Sequence, residues 1–211
     1  MNSKRESGAR PPARLILATA NQHKLTELTR ILAAASVAVD LAGLDACPGA
    51  PDVRETGATF AENALLKAHA IAEFTGLPVV ADDSGICVDA LNGMPGVLSA
   101  RWSGRHGDDA ANLALLLAQL ADVPDGRRGA HFTCAAALAL PGGREHVSEG
   151  TLHGRLIRET RGTNGFGYDP IFVPDRAELT TAQLTSQEKD KISHRGKALR
   201  GLAPVIAALL L

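Results

Sequence analysis

Ala81-Asp82-Asp83-Ser84-Gly85 sets two adjacent carboxylates, a hydroxyl and a glycine directly after the apolar run Leu77-Pro78-Val79-Val80. Neighbouring carboxylates repel and Asp is a weak strand former, so the segment makes a poor structural element. As a strand-end site it suits a divalent cation, which wants hard oxygen ligands, and a water whose proton a carboxylate can accept. Either Asp82 or Asp83 could be that acceptor. A turn stabilised by aspartate side chains is the structural alternative.

Other segments could serve the same chemistry. Thr19-Ala20-Asn21-Gln22-His23-Lys24 is a polar loop between an apolar run and an amphipathic one. Free N–H groups at a helix start bind anions, and Lys24 adds a positive charge. The loop lacks the glycines and the Lys-Ser/Thr pair of a Walker A motif. Glu55 lies in an open loop, where its interest comes from a partnership with Asp83. Glu62 has a ready structural role as a helix cap, and Lys67 could point inward to phosphate or outward to water. Arg161 to Pro170 holds Gly162, Gly165 and Gly167 with Phe166 and Tyr168 among them. Glycines let backbone approach a ligand, and an aromatic can stack on a base, although one of the two could pack on the core instead. Ser193-His194-Arg195 supplies a natural N-cap and two donors suited to a purine with a carbonyl at position 6. The 6-amino group of adenine would meet those donors donor to donor. Together these segments point to an enzyme acting on a nucleoside triphosphate.

The elements that must position these groups follow from periodicity. Arg14 to Ala18 reads as a buried strand, and Leu25, Leu28, Ile31 and Leu32 recur at helical spacing. A second strand is expected near Val37 to Leu41. Thr59-Phe60-Ala61-Glu62 has the form of a capping box opening a helix that stops at Gly76. Leu77 to Val80 is a strand, and Ile86, Val88 and Ala90 mark another short one. Asp108 or Asp109 caps a helix through Leu120. His131 to Leu140 and Arg144 to Thr151 form a hairpin about Pro141-Gly142-Gly143. Ile171 to Val173 is a short strand. A second capping box lies at Thr185 to Glu188, and Pro204 should kink or break the last helix. Early alternation of strands and helices with a late hairpin predicts an α/β protein with a mixed sheet.

The chain has 211 residues, enough for one domain or one domain with two lobes. Aromatics are only 3%, so the core must be built from Ala, Leu, Val and Ile. The net charge of −1 argues against coating a nucleic acid polymer. Cys47, Cys87 and Cys134 are dispersed and odd in number, which fits buried thiols and neither a zinc site nor a disulfide framework. No apolar run is long enough to span a membrane. Residues 1–13 are polar and lack the apolar core of a secretory signal, so a disordered leader and a cytoplasmic location are expected.

The motifs carry a resemblance. Ala18 to Glu27, Glu55-Thr56-Gly57, Phe60 to Ala64, Ala81 to Gly85, Gly165 to Pro170 and Ser193 to Gly196 occur in order and resemble the inosine/xanthosine triphosphate pyrophosphatase family. The resemblance spans residues 14 to about 200 and implies an elongated mixed sheet flanked by helices, with two lobes around a central nucleotide-binding cleft in one domain of residues 14–211. It implies Mg²⁺-dependent hydrolysis of dITP, ITP and XTP to monophosphate and pyrophosphate by a homodimer that cleans the nucleotide pool. Carried over by position, Thr19, Ala20, Asn21, Gln22, His23 and Lys24 would hold the triphosphate. Glu55 and Asp83 would bind the metal, with Asp83 as proton acceptor. Ser84, Phe166, Gly167, Tyr168, Asp169, Lys189, His194 and Arg195 would contact the nucleotide. His23 and Asn164 stand where the family commonly has glycine; a positive φ at His23 would carry a penalty. Two alternatives are a related pyrophosphatase for modified pyrimidine nucleotides and a nucleotide-binding sensor that does not hydrolyse.

Overall fold

The computed structural model describes residues 12–210; residues 1–11, most of the expected leader, and Leu211 lie outside the described residues. Strand β1 (Ala13–Leu17) begins within the leader's expected span, with Ala13 paired to Val39. The other strands are β2 (Val39–Ala42), β3 (Val79–Val88), β4 (Gly129–Ala139), β5 (Glu145–Leu156) and β6 (Phe172–Pro174). They form one sheet in the order β2-β1-β3-β4-β5-β6. β1 runs parallel to β2 and β3, and β3 to β6 are antiparallel. The fold is α/β with a mixed sheet flanked by helices, as the patterning predicts.

Helix boundaries follow local chemistry. α1 (Gln22–Ala34) starts where the Asn21 side chain accepts from the His23 N–H at 2.9 Å. α2 (Phe60–Thr75) starts where Thr59 accepts from the Glu62 N–H, and it ends at Gly76 in the left-handed conformation. The return arm of that cap differs from expectation: Glu62 accepts from the Ala58 N–H and not from Thr59. Asp108 caps α3 (Asp109–Gln119), and Thr185 with Glu188 completes a capping box on α4 (Ser186–Ile192). α5 (His194–Leu210) continues past Pro204 without a break. Its apolar stripe of Leu199, Leu202, Ala203 and Ile206 is buried against the sheet. At about 1.5–3 kcal/mol for each large side chain, that burial outweighs the roughly 3 kcal/mol of one interior proline.

Three apolar clusters hold the sheet. α1 and α5 cover one face through Leu15, Leu17, Val80, Ala136 and Leu138. α2 covers the other face through Ile16, Val79, Ala81, Ala135 and Ala137. The third cluster, at the far end of the sheet, joins Ile86, Val88, Leu116, Phe132, Tyr168 and Phe172. These assignments alternate along β3 and β4 with the period of two that a pleated strand imposes.

β3 departs most from expectation. A strand ending at Val80, a polar turn and a second short strand are instead one ten-residue strand. The aspartates lie in its middle, where Asp82 pairs with Ala136 and Asp83 with Ala135 of β4. Successive side chains leave a strand on opposite faces. The two carboxylates therefore do not share one side, and each meets cations on its own. β1 stops at Leu17 while β3 continues to Val88. The loop from Ala18 to Asn21 thus opens beside the aspartates, at the carboxyl end of a parallel pair, where ligands bind in open α/β sheets.

Candidate active site

The face of β3 toward α1 and α5 carries Asp82. Lys24, in the first turn of α1, donates to both its oxygens at 3.0 and 2.8 Å. Arg195, in the first turn of α5, donates to it at 3.3 Å and reaches Glu27 at 3.5 Å. Burial pushes the Asp82 carboxyl up, but Lys24 and Arg195 outweigh it and hold the group well below the usual carboxylate range. Asp82 is an ionised strut between two helices, and Arg195 is shared between it and Glu27.

The opposite face carries Asp83. Asn63 on α2 donates to its Oδ2 at 3.1 Å, and the Lys67 ammonium stands 3.5 Å from Oδ1. Lys67 also donates to Glu55 Oε1 at 2.6 Å, which settles its direction as inward. Arg101 donates to Glu55 Oε2 at 3.3 Å and to the Glu55 carbonyl at 3.2 Å. Burial raises the Asp83 carboxyl above its ordinary value despite Lys67. Burial also pushes Glu55 up, but its bonds to Lys67 and Arg101 bring it below the ordinary value. Glu55 and Asp83 thus gather hard oxygen donors around one cation. Among the described residues no three His, Cys, Asp or Glu side chains form a group that could hold a metal. Two carboxylates completed by substrate phosphates is the way Mg²⁺ is usually held, so these residues fit it.

All but one of the expected nucleotide contacts line three cavities. Asn21, His23 and Lys24 line one of about 240 Å³ with Phe166, Lys189, His194 and Arg195. Those last four also line a cavity of about 100 Å³, together with Ser84, Gly167, Tyr168 and Asp169. Thr19 and Ala20 line a third, about 690 Å³, beside Glu55 and Lys67. Gln22 opens α1 with its side chain exposed. His23 takes helical geometry, and the non-glycine residues with positive φ among those described are Ser36, Asn92 and Arg176. The penalty considered for His23 therefore does not arise.

The glycine loop separates its two aromatics. Phe166 is 57% exposed, with Lys189 and Arg195 5.0 and 5.7 Å from its ring centre. Tyr168 is 5% exposed and donates to the Ser99 carbonyl at 2.9 Å, so its ring belongs to the third core cluster. Asp169 accepts from the Phe166 N–H, from Thr181 and from Lys189, which closes the loop on itself. A Cβ at Gly165 would collide with the Asp169 carboxylate, and φ there is +76°. Ser193 caps α5 by accepting from the Gly196 N–H at 2.9 Å. His194 stacks on Phe132 at 4.9 Å. Burial and the adjacent Arg195 hold its imidazole well below the ordinary value, hence neutral. Its Nδ1 is buried with no hydrogen-bond partner.

Residue patterns alone missed Glu27, Asn63, Arg101 and Asp109, whose carboxylate accepts from the Gly167 N–H at 2.9 Å. Two carried a signal: Glu27 lies three residues after Lys24 and Asn63 four before Lys67, each on a shared helix face. Arg101 and Asp109 carried none.

A model of the Ham1 family matches residues 15–205. The dITP/XTP pyrophosphatase of Streptomyces coelicolor is 66% identical over 197 residues, which cover 93% of this chain and 98% of that protein. The dITP/XTP pyrophosphatase of Nocardia farcinica is 62% identical over 198 residues, or 93% and 96% of the two. Among solved structures, the nucleoside-triphosphatase / dITP/XTP pyrophosphatase of Mycobacterium abscessus superposes with a TM-score of 0.77 at 57% identity, covering 92% of this chain and 99% of that one. A Ham1 protein from Coxiella burnetii superposes with a TM-score of 0.85 at 40% identity, covering 93% and 99%.

Proposed function

The chain belongs to the Ham1 family, and from that premise we propose that it hydrolyses dITP, ITP and XTP to the monophosphate and pyrophosphate. The observation that carries the chemistry is the Asp83 environment: a carboxyl raised by burial in the middle of β3, beside Lys67 and Glu55. Glu55 and Asp83 would hold Mg²⁺, which when bound there screens phosphate charge. Asp83 takes a proton from water as the water attacks the α-phosphorus. The bond between that phosphorus and the bridging oxygen to the β-phosphate breaks, and pyrophosphate leaves. Thr19 to Lys24 supply first-turn N–H groups and an ammonium for the phosphate chain.

Base choice falls to His194, with Phe166 as a stacking surface. A buried nitrogen without a partner leaves a penalty that a matching ligand atom removes. With Nδ1 protonated, the neutral ring donates to a 6-oxo group and meets the 6-amino group of adenine donor to donor. Ser84, Gly167, Tyr168, Asp169, Lys189 and Arg195 complete the reading of the nucleotide site. A single domain over residues 14–211 with two lobes, a homodimer and a cytoplasmic location belong to the same proposal. Among the described residues, no helix is long and apolar enough to cross a membrane.

Pyrophosphate release with Mg²⁺ from ITP, XTP, GTP, ATP and dTTP tests this. Fast release from ITP and XTP, with little from GTP, ATP and dTTP, is expected. Tight ITP binding without pyrophosphate would mark a sensor, and preferred release from a pyrimidine would overturn the base assignment.

A further inference from the structure

We infer that Arg101 is a positioning residue that fixes Glu55 for a divalent cation, an inference that rests on the metal role proposed above. Glu55 needs such a device. Residues 51–57 around it belong to no helix or strand, and a carboxylate on irregular chain does not hold ligand geometry unaided.

Arg101 supplies what the loop lacks. It ends the 3₁₀ segment Gly96–Arg101, which is tied to the sheet by Ser99. The Ser99 hydroxyl accepts from the Ile86 N–H at 2.9 Å, and the Ser99 carbonyl accepts from Tyr168. From that platform one guanidinium makes two bonds to the same residue, to the side-chain Oε2 and to the main-chain carbonyl of Glu55. Two nitrogens of a planar fork can fix a carboxylate and its own backbone together; a single ammonium on a flexible stem cannot.

The two cations on Glu55 are not equivalent. Lys67 holds Oε1 and also faces Asp83, so it occupies the space between the two carboxylates. Arg101 takes the other oxygen of Glu55 and the carbonyl behind it. A metal shared by Glu55 and Asp83 competes with Lys67 for position, whereas Arg101 keeps its bonds. Removing a group that orients a metal ligand typically weakens metal binding about 10- to 100-fold. Removing a cation that merely repels the metal would tighten it.

Mn²⁺ binding, followed by electron paramagnetic resonance with and without an α,β-imido analogue of ITP, separates these roles. The set is wild type, Glu55→Gln, Arg101→Ala and Arg101→Lys, with thermal melts to verify folding. Glu55→Gln is expected to abolish the high-affinity site. Arg101→Ala and Arg101→Lys are each expected to weaken Mn²⁺ by about tenfold or more. They should raise the metal concentration for half-maximal rate while leaving KM for ITP at saturating metal nearly unchanged. Arg101→Lys keeps the charge and loses the fork, so it decides the matter if Arg101→Ala fails to fold. Unchanged or tighter Mn²⁺ binding in Arg101→Lys would overturn the positioning role alone. Mn²⁺ binding in wild type that is indifferent to Glu55→Gln would overturn the metal reading, and this inference with it.

Discussion

On one face of β3, Asp82 is enclosed by Lys24 and Arg195; on the other, one residue along, Asp83 has Asn63 as its hydrogen-bond donor and a lysine it shares with Glu55. The strand gives both carboxylates the same rigidity, and burial acts to raise both. They differ in compensation. Two cations overcompensate Asp82 and keep it ionised, whereas Asp83 is undercompensated and sits above its ordinary value. Whether a buried carboxylate acts as a strut or as a proton acceptor is decided by how many cations its face of the sheet supplies.

The sharpest way to break this contrast is to remove each charge in turn. Asp83→Asn is expected to lower kcat by a factor of about 10²–10⁴, the range for a lost general base, while the folded structure survives. Single-turnover pyrophosphate release together with circular dichroism checks it, and near wild-type turnover would return Asp83 to a structural role. Asp82→Asn has the opposite profile. It takes from Lys24 its carboxylate partner and leaves Arg195 with Glu27 alone, and should cost roughly 3 kcal/mol of stability. The folded-state value of Asp82 lies below the unfolded one, so its contribution is present above about pH 4 and fades as pH falls toward the folded value. Urea melts of wild type and Asp82→Asn should therefore differ most at pH 7, with a gap that begins to narrow below about pH 4 and closes only well below pH 3. A gap that does not narrow at all below pH 4 would mean the pair is not what stabilises the strand. The smallest expected effect sharpens the same face. Burial and the neighbouring Asp82 charge push the Cys134 thiol up to about 12. Iodoacetamide at pH 8 should leave it unlabelled until denaturant is added, and peptide mass mapping reads this directly.

Much of this arrangement is legible from residue types. Caps announce themselves locally, so Thr59, Gly76, Thr185 and Ser193 mark helix ends where they occur. Of the segments with chemistry the core does not need, Asn21, His23, Lys24 and Ser193 to Arg195 line one cavity and Thr19 and Ala20 another, while Asp83 meets Glu55 through Lys67. β3 was not legible because its continuity depends on β4, some fifty residues later in the chain, which supplies the pairing that Asp disfavours alone. Arg101 and Asp109 were hidden for the same reason, since each gains meaning from a partner on another element. Tyr168 shows the converse. Its glycine-rich setting resembles that of Phe166, yet tertiary packing turns one ring inward and leaves the other over Lys189 and Arg195.

The length of β3 has one more consequence. Its first residues, Val79 to Ala81, belong to the two clusters beneath α1, α2 and α5, and its last, Ile86 and Val88, to the far cluster. A strand shared in this way couples the two ends of the sheet, since neither can melt without stripping the other of part of its core. Unfolding is then expected to be a single cooperative event with no surviving half-domain, which agreement of calorimetric and van't Hoff enthalpies would verify. The carboxylates stand at that joint, so their geometry is underwritten by the stability of the whole molecule.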